Sequence, residues 1–422
     1  MVARTAFALF FSASTAYAHL HNPRAHRHFA ERQDPHAIPP IAQISQGMPT
    51  EPPVPLSATP VAGAQPAISG APKLPSGVQI PNIPPNKILP DDAPAGTTLC
   101  TLNPEASTAG TAAGNCWWSC GGCTRDTDLF TCPDKLTWGL TFDDGPSPYT
   151  PKVLNYLAEK NLKASFYVIG ANVVNHPEIL QATYLAGHEI AIHTWTHPQL
   201  TTLTNEQIVA ELGWTRKAIQ AVLGVTPRFF RPPYGDCDDR VRAIAKGLGL
   251  TPVIWTDGFD TDDWSVNSGS ISTDLFNDYT KMLDALPNQS TGVISLQHDW
   301  YQQTADLAVG YFLPAALSHN PAPVFQSVIE CQHQPAGASY VETSGGLAAP
   351  PPSGNTTTPA ATITPGATGS ATGSRASAAA TGSKTSSSAS TTGTAAASTN
   401  GASTLGISSV IGLVAASVWA MI

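Results

Sequence analysis

Charge is scarce in this sequence. Of 422 residues only 21 are Lys or Arg and 30 are Asp or Glu, 12% together against about a quarter in an ordinary globular chain. Part of the chain is therefore not expected to fold as a globule. The shortage is greatest for positive charge. The formal balance is 21 minus 30, or -9, with no basic stripe to follow a phosphate backbone, so nucleic acid is excluded as a partner. A long uninterrupted apolar run is also missing. The best candidate, 405–422, is broken by Ser and Gly and makes a poor transmembrane helix.

What is present at the two ends reads as processing signals. Arg4, an apolar run over 6–11 and Ala16-Tyr17-Ala18 form a secretory signal peptide, 1–18. Its removal leaves 20 minus 30, or -10. At the other end, the small residues Asn400-Gly401-Ala402, the weakly polar 401–409 and the apolar 410–422 have the order of a glycosylphosphatidylinositol attachment signal, with Asn400 as the attachment residue and 401–422 as the propeptide. The alternative is a C-terminal helix packed on the body. Residues 337–400 are rich in Ser, Thr, Ala and Gly, with only Arg375 and Lys384 charged from 343 onward, and read as an extended O-glycosylated stalk. Residues 19–98 are Pro-rich and hold His19, His21, His26, His28 and His36 without ligand spacing, so they are expected to be a solvated segment. The expected location is outside the cell, at the cell membrane through the lipid anchor and in the wall.

Seven cysteines lie in or near the remaining sequence. Cys100, Cys116, Cys120, Cys123 and Cys132 crowd an extension over 99–132, while Cys237 and Cys331 stand apart. Secretion favours disulfides over zinc thiolates. A bridge between Cys132 and Cys331 would join the ends of the domain, and the odd count leaves one thiol free or paired outside the chain.

Within 133–336 short β-branched or aromatic runs alternate with amphipathic stretches. Strands are predicted over 137–142, 164–169, 188–193, 229–230, 253–256 and 292–297, and helices over 151–160, 177–186, 205–223, 241–248, 271–286 and 304–317. That order predicts an α/β fold, with parallel strands closing into a barrel-like sheet and active residues at the strands' C-terminal ends.

Unusual residues gather at those ends. Asp143 and Asp144 precede Gly145, where adjacent side chains on a strand diverge toward different tasks, although Asp-Asp-Gly is also a common turn. His193 and His197 flank Thr194-Trp195-Thr196 and precede Pro198. With Asp144 they make three ligands and leave a position for water, as in a catalytic zinc site; two polar loop histidines are the plainer reading. Three later pieces follow: Arg231-Pro232-Pro233-Tyr234-Gly235, Asp260-Thr261-Asp262-Asp263-Trp264 and Ile294-Ser295-Leu296-Gln297-His298.

Together, in this order and spacing, these five pieces resemble the motifs of the NodB-type polysaccharide deacetylases, carbohydrate esterase family four, and with the secreted, anchored layout the chain looks most like that family's fungal chitin deacetylases. The resemblance implies a distorted (β/α) barrel and one divalent ion, Zn²⁺ or Co²⁺, on Asp144, His193 and His197. It implies Asp143 as catalytic base oriented by Arg231, and a Tyr234 backbone N–H for the acetate oxygen. His298 is implied as general acid, with Asp260 as the simplest choice of carboxylate partner over Asp263. Trp264 and Leu296 are implied to line the acetyl-methyl pocket. The implied partner is chitin, an N-acetylglucosamine polymer, deacetylated to chitosan by a monomer. An O-acetyl esterase on acetylxylan-type glycans and a non-catalytic wall mannoprotein or adhesin are the alternatives.

Other residues carry weaker readings. His176 and His188 read as surface or core histidines. Trp117-Trp118 either stack on sugars or pack around disulfides. Asn288 and Asn355 begin N-glycosylation acceptors.

Overall fold

In a computed structural model the described residues are 38–48, 68–106 and 115–346, apart from 91, 95 and 105. The signal peptide, the five N-terminal histidines, Asn355, Asn400, residues 347–400 of the stalk and the anchor signal lie outside them. Among the described residues no helix is long and apolar enough to cross a membrane.

Eight short strands among the described residues form two parallel sheets. β2 (Thr141–Asp143), β3 (Ser165–Val168), β4 (Glu189–Ile192), β5 (Phe229–Phe230) and β6 (Thr251–Pro252) lie side by side in that order. β7 (Val293–Ile294), β1 (Thr137–Gly139) and β8 (Val324–Gln326) form the second sheet. Isolated bridges, Asp143 to His298 and Leu129 to Val253, continue the pairing past the sheet edges without completing one ring of strands. The expected distorted barrel of parallel strands is thus the observed fold.

The single strand predicted over 137–142 is two strands. Leu140 is the crossing point: its N–H donates to the Gln326 carbonyl beside β8, while its own carbonyl accepts from Ser165 at β3. One residue therefore passes the chain from one sheet to the other, which a continuous apolar pattern cannot reveal. The helix Asn205–Leu223 has the predicted bounds because its ends are marked in the sequence. Thr204 and Gln207 form a capping box, and Gly224 takes the left-handed conformation that stops the helix. The predicted helix 304–317 is instead Gln302–Leu307 and Leu313–Ser318, joined by a π-helical turn over Ala308–Phe312. Pro314, which has no N–H to give the ladder, follows at once.

β3 and β4 are buried along their whole length, as parallel strands under helices must be, while Val324 on the edge strand β8 is exposed. Phe142, Phe166, Ile190, Ile192 and Phe230 are fully buried among the helices, and Trp138 packs edge-on to Phe259 beside Tyr279.

Two boundary readings are corrected. Residues 19–98 are not solvated throughout: Ile44 is 1% exposed within the main core, Ile38, Ile41, Ile68, Leu74 and Ile80 pack against it, and Pro72 lies on Gly213 of the helix Asn205–Leu223. Nor does the stalk begin at 337. Ala338 and Tyr340 are buried, Tyr340 pairs with Pro227, and its hydroxyl oxygen accepts from the Ile190 N–H.

The cysteines form Cys100–Cys120, Cys116–Cys123 and Cys132–Cys331, with Cys237 free and buried. The bridge across the domain is the one the spacing suggested.

Candidate active site

β2 delivers Asp143 into a fully buried position at the seam of the two sheets. Its N–H donates to the Gln297 carbonyl at 2.9 Å, and its carboxylate accepts from Arg231 Nη1 at 2.9 Å. Arg231 follows β5 and is itself buried. It donates also to Thr141 Oγ1 and the Ser295 carbonyl, and its guanidinium lies 4.2 Å from the centre of the Tyr167 ring. Burial pushes the Asp143 carboxyl above its ordinary value against the pull of Arg231 and His193. The result is a poised carboxyl with one fixed partner.

Asp144 points elsewhere because its backbone is left-handed, at φ 76°. That turn sets Asp144 Oδ1 3.3 Å from His193 Nε2 and 3.4 Å from His197 Nε2. His193 ends β4. Its Nδ1 lies 2.8 Å from the Arg231 carbonyl, which can only accept, so Nδ1 carries the proton and Nε2 presents its lone pair. The His197 loop is bent by left-handed Thr194 and His197 and held by Glu211, which accepts from the Trp195 and Thr196 N–H groups and the Thr196 hydroxyl. Non-glycine residues at such φ values each cost on the order of 1–3 kcal/mol and persist only where the surroundings impose them.

The three ligand atoms lie within 4.8 Å of one another, and Asp144 Oδ1 is buried without a hydrogen bond. An orphaned carboxylate oxygen facing two imidazole lone pairs fits a divalent cation better than empty space. Burial alone would raise Asp144, but the neighbouring His197 and His193 carry it below the ordinary carboxylate range. Burial lowers His197 to about 4, keeping it neutral and able to ligate.

The partner of His298 is Asp263, not Asp260. His298 Nδ1 lies 2.7 Å from Asp263 Oδ1, and the His298 N–H donates to Asp263 Oδ2 at 2.8 Å. Asp260 pairs through its backbone with Leu296, and its carboxylate accepts from the Asp262 N–H. The left-handed Asp262, at φ 51°, turns the chain so that the next residue, rather than the strand-end acid, faces the imidazole. Burial disfavours the His298 cation, yet Asp263 outweighs it and lifts the imidazole to about 10. Burial pushes Asp260 up to about 7.

Tyr234 is half exposed, left-handed at φ 58°, with its ring 4.7 Å from that of His197. Leu296 is buried, its carbonyl accepting from the Thr261 N–H and hydroxyl, and Trp264 is exposed beside Asp263. Asn288 is exposed. His188 is a core histidine, lowered to about 3 by burial, as the plainer reading has it.

One buried acid escaped the sequence reading. The Asp299 carboxylate lies under Gly145, where a Cβ would stand 2.7 Å from both oxygens, and accepts from the Thr150 hydroxyl. It supports the Asp143-Asp144-Gly145 turn from below, and burial raises it to about 7. Its signal in the sequence is only its place directly after His298.

The profile of the family described as polysaccharide deacetylase matches residues 131–253. Chitin deacetylase 1 of Cryptococcus neoformans var. grubii is 47% identical over 337 residues, 73% of this chain and 71% of that protein. The chain belongs to the polysaccharide deacetylase family. It is a deacetylase enzyme. Chitin deacetylase 2 of the same organism is 38% identical over 58% of each chain, and a chitin deacetylase of Amylomyces rouxii 45% identical over 46% of this chain and 48% of that one. The deacetylase profile ends at 253, before the His298 and Asp263 pair, so that half of the site stands on the geometry above.

Proposed function

We propose that this deacetylase removes N-acetyl groups from N-acetylglucosamine units of chitin, giving acetate and chitosan. The observation that carries the reading is a carboxylate and an imidazole, Asp143 and His298, each held by its own buried partner, beside a three-residue cation site. The names of the relatives supply the substrate.

A divalent ion, Zn²⁺ or Co²⁺, on Asp144, His193 and His197 would supply Lewis-acid polarisation of the amide carbonyl and acidify water to a pKa of about 7. Asp143 takes the proton of the attacking water, and Arg231 keeps its carboxylate aimed. The Tyr234 backbone N–H donates to the developing oxyanion, a contribution of about 3 kcal/mol for one well-placed donor. His298, kept cationic below about 10 by Asp263, protonates the departing nitrogen as the C–N bond breaks. Trp264 and Leu296 bound the acetyl methyl. The enzyme acts as a monomer, secreted and held at the membrane by a lipid on Asn400, within the wall.

Acetate release by the full chain from chitin oligomers and from acetylxylan, with and without chelator and beside Asp143→Asn, tests the reading. Chelator-sensitive release from chitin, lost in Asp143→Asn, is expected. Release from acetylxylan alone makes the enzyme an O-acetyl esterase, and release from neither leaves a binding protein.

A further inference from the structure

Trp117 and Trp118 are adjacent in sequence and opposite in fate. Trp117 is fully buried, and its indole Nε1 donates to Asp236 Oδ1 at 2.7 Å. Trp118 is only partly buried. Its six-membered ring lies on Gly235, where a Cβ would stand 2.0 Å from it, so this residue is glycine because the indole occupies the space. The same ring meets Trp255 edge-on at 4.5 Å, and Trp255 in turn lies 5.9 Å from the guanidinium that holds Asp143. On the other side Gly235 is bonded to Tyr234, half exposed and packed on His197. Tyr234 and Gly235 therefore link the cation site at His197 to the ring of Trp118.

Trp118 belongs to the cysteine-rich extension, outside the residues that match the family profile. It is nevertheless held both by the domain and by its own loop. Its N–H donates to the Cys237 carbonyl, and its carbonyl accepts from Gly122. Disulfides Cys100–Cys120 and Cys116–Cys123 staple the loop around it. Asp236 accepts from Trp117 and Ser119 on the loop and from Thr201 on the domain. Arg242 reaches from the helix Asp239–Gly247 to Asp128 and to the carbonyls of Cys116 and Cys123. A partly exposed indole fixed in advance loses little freedom on binding, and an indole face suits the apolar C–H face of a pyranose.

We propose that Trp118 is a stacking platform for a sugar unit neighbouring the one that loses its acetyl group, so that the extension sets preference for chain length. The inference rests on the chitin reading above and deepens it.

Steady-state acetate release by the full chain from the N-acetylglucosamine dimer and tetramer separates stacking from support of the Tyr234 turn. Trp118→Ala is expected to raise KM for the tetramer about tenfold, more than for the dimer, with kcat changed less than KM. Trp118→Phe restores most of that loss, and Trp118→Leu, which keeps apolar bulk on Gly235 but no aromatic face, does not. Rescue by Leu, a loss confined to kcat, or an equal loss at both lengths overturns the proposal while the wild-type activity keeps the chitin reading intact. A wild-type chain that releases acetate from neither oligomer overturns both.

Discussion

On one side of the site Asp144, His193 and His197 come from two strand ends, with the two histidines four residues apart. On the other, His298 finds its carboxylate 35 residues away, in a loop that joins the site only when the sheets are in place. The two sides also store strain differently. Asp144, Thr194, His197 and Tyr234 all adopt left-handed backbone on the cation side, against Asp262 alone beside the imidazole pair. Ligands must be convergent and fixed, which costs local strain; an acid needs one buried countercharge, which costs desolvation instead.

The largest effect expected is on the cation side. His193→Ala leaves two ligands, so bound metal measured by elemental analysis falls below one tenth per chain and acetate release falls by at least about a thousandfold. Asp143→Asn is expected to lower release by about 10²–10⁴ while metal content is retained, because the base is adjacent to the ligands without being one. Metal loss in that variant would show that the two acids are not separable.

The imidazole side is sharpened by two acids three residues apart. Asp263→Asn is expected to cut kcat up to about a hundredfold and move the alkaline limb of its pH profile downward from the region of 10, since the cation is then no longer held. The stability effect has a matching sign. A raised imidazole contributes stability fully present below its unfolded value near 6.5 and lost as pH rises through about 10, so Asp263→Asn lowers the melting temperature more at pH 6 than at pH 10.5. Asp260→Asn is expected to change kcat by less than about threefold and leave the limb in place; a shift there would restore Asp260 as the partner.

An intermediate effect separates strain from ligation. Glu211→Ala frees the Trp195 and Thr196 N–H groups and lets the strained loop relax, so metal affinity by titration weakens about tenfold. The same substitution should leave the alkaline limb unmoved.

The cation half was legible because its motifs are local and resemble those of a known family. Asp143, Asp144, His193, His197 and Arg231 sit in short motifs at strand ends, and chain connectivity alone keeps each motif together. The caps of Asn205–Leu223 were legible for the same reason. Asp260 was preferred to Asp263 because nothing in the motif shows that Asp262 turns left-handed. Asp299 went unseen because its role depends on lying under Gly145, 154 residues earlier in the chain.

By itself the sequence determined the alternation of strands and helices and the parallel α/β class, which follow from periodicity and neighbours along the chain. The candidate ligand and base residues came from motifs that resemble those of the polysaccharide deacetylases. The tertiary structure alone decided that Leu140 crosses between sheets, that Asp263 holds His298, that Trp117 is buried while Trp118 lies on Gly235 beside Trp255, and that Ile44 of a Pro-rich segment belongs to the core. Each of these depends on which surfaces meet once the sheets have formed. Burial and hydrogen bonding between distant residues leave no periodic trace in the order of the amino acids.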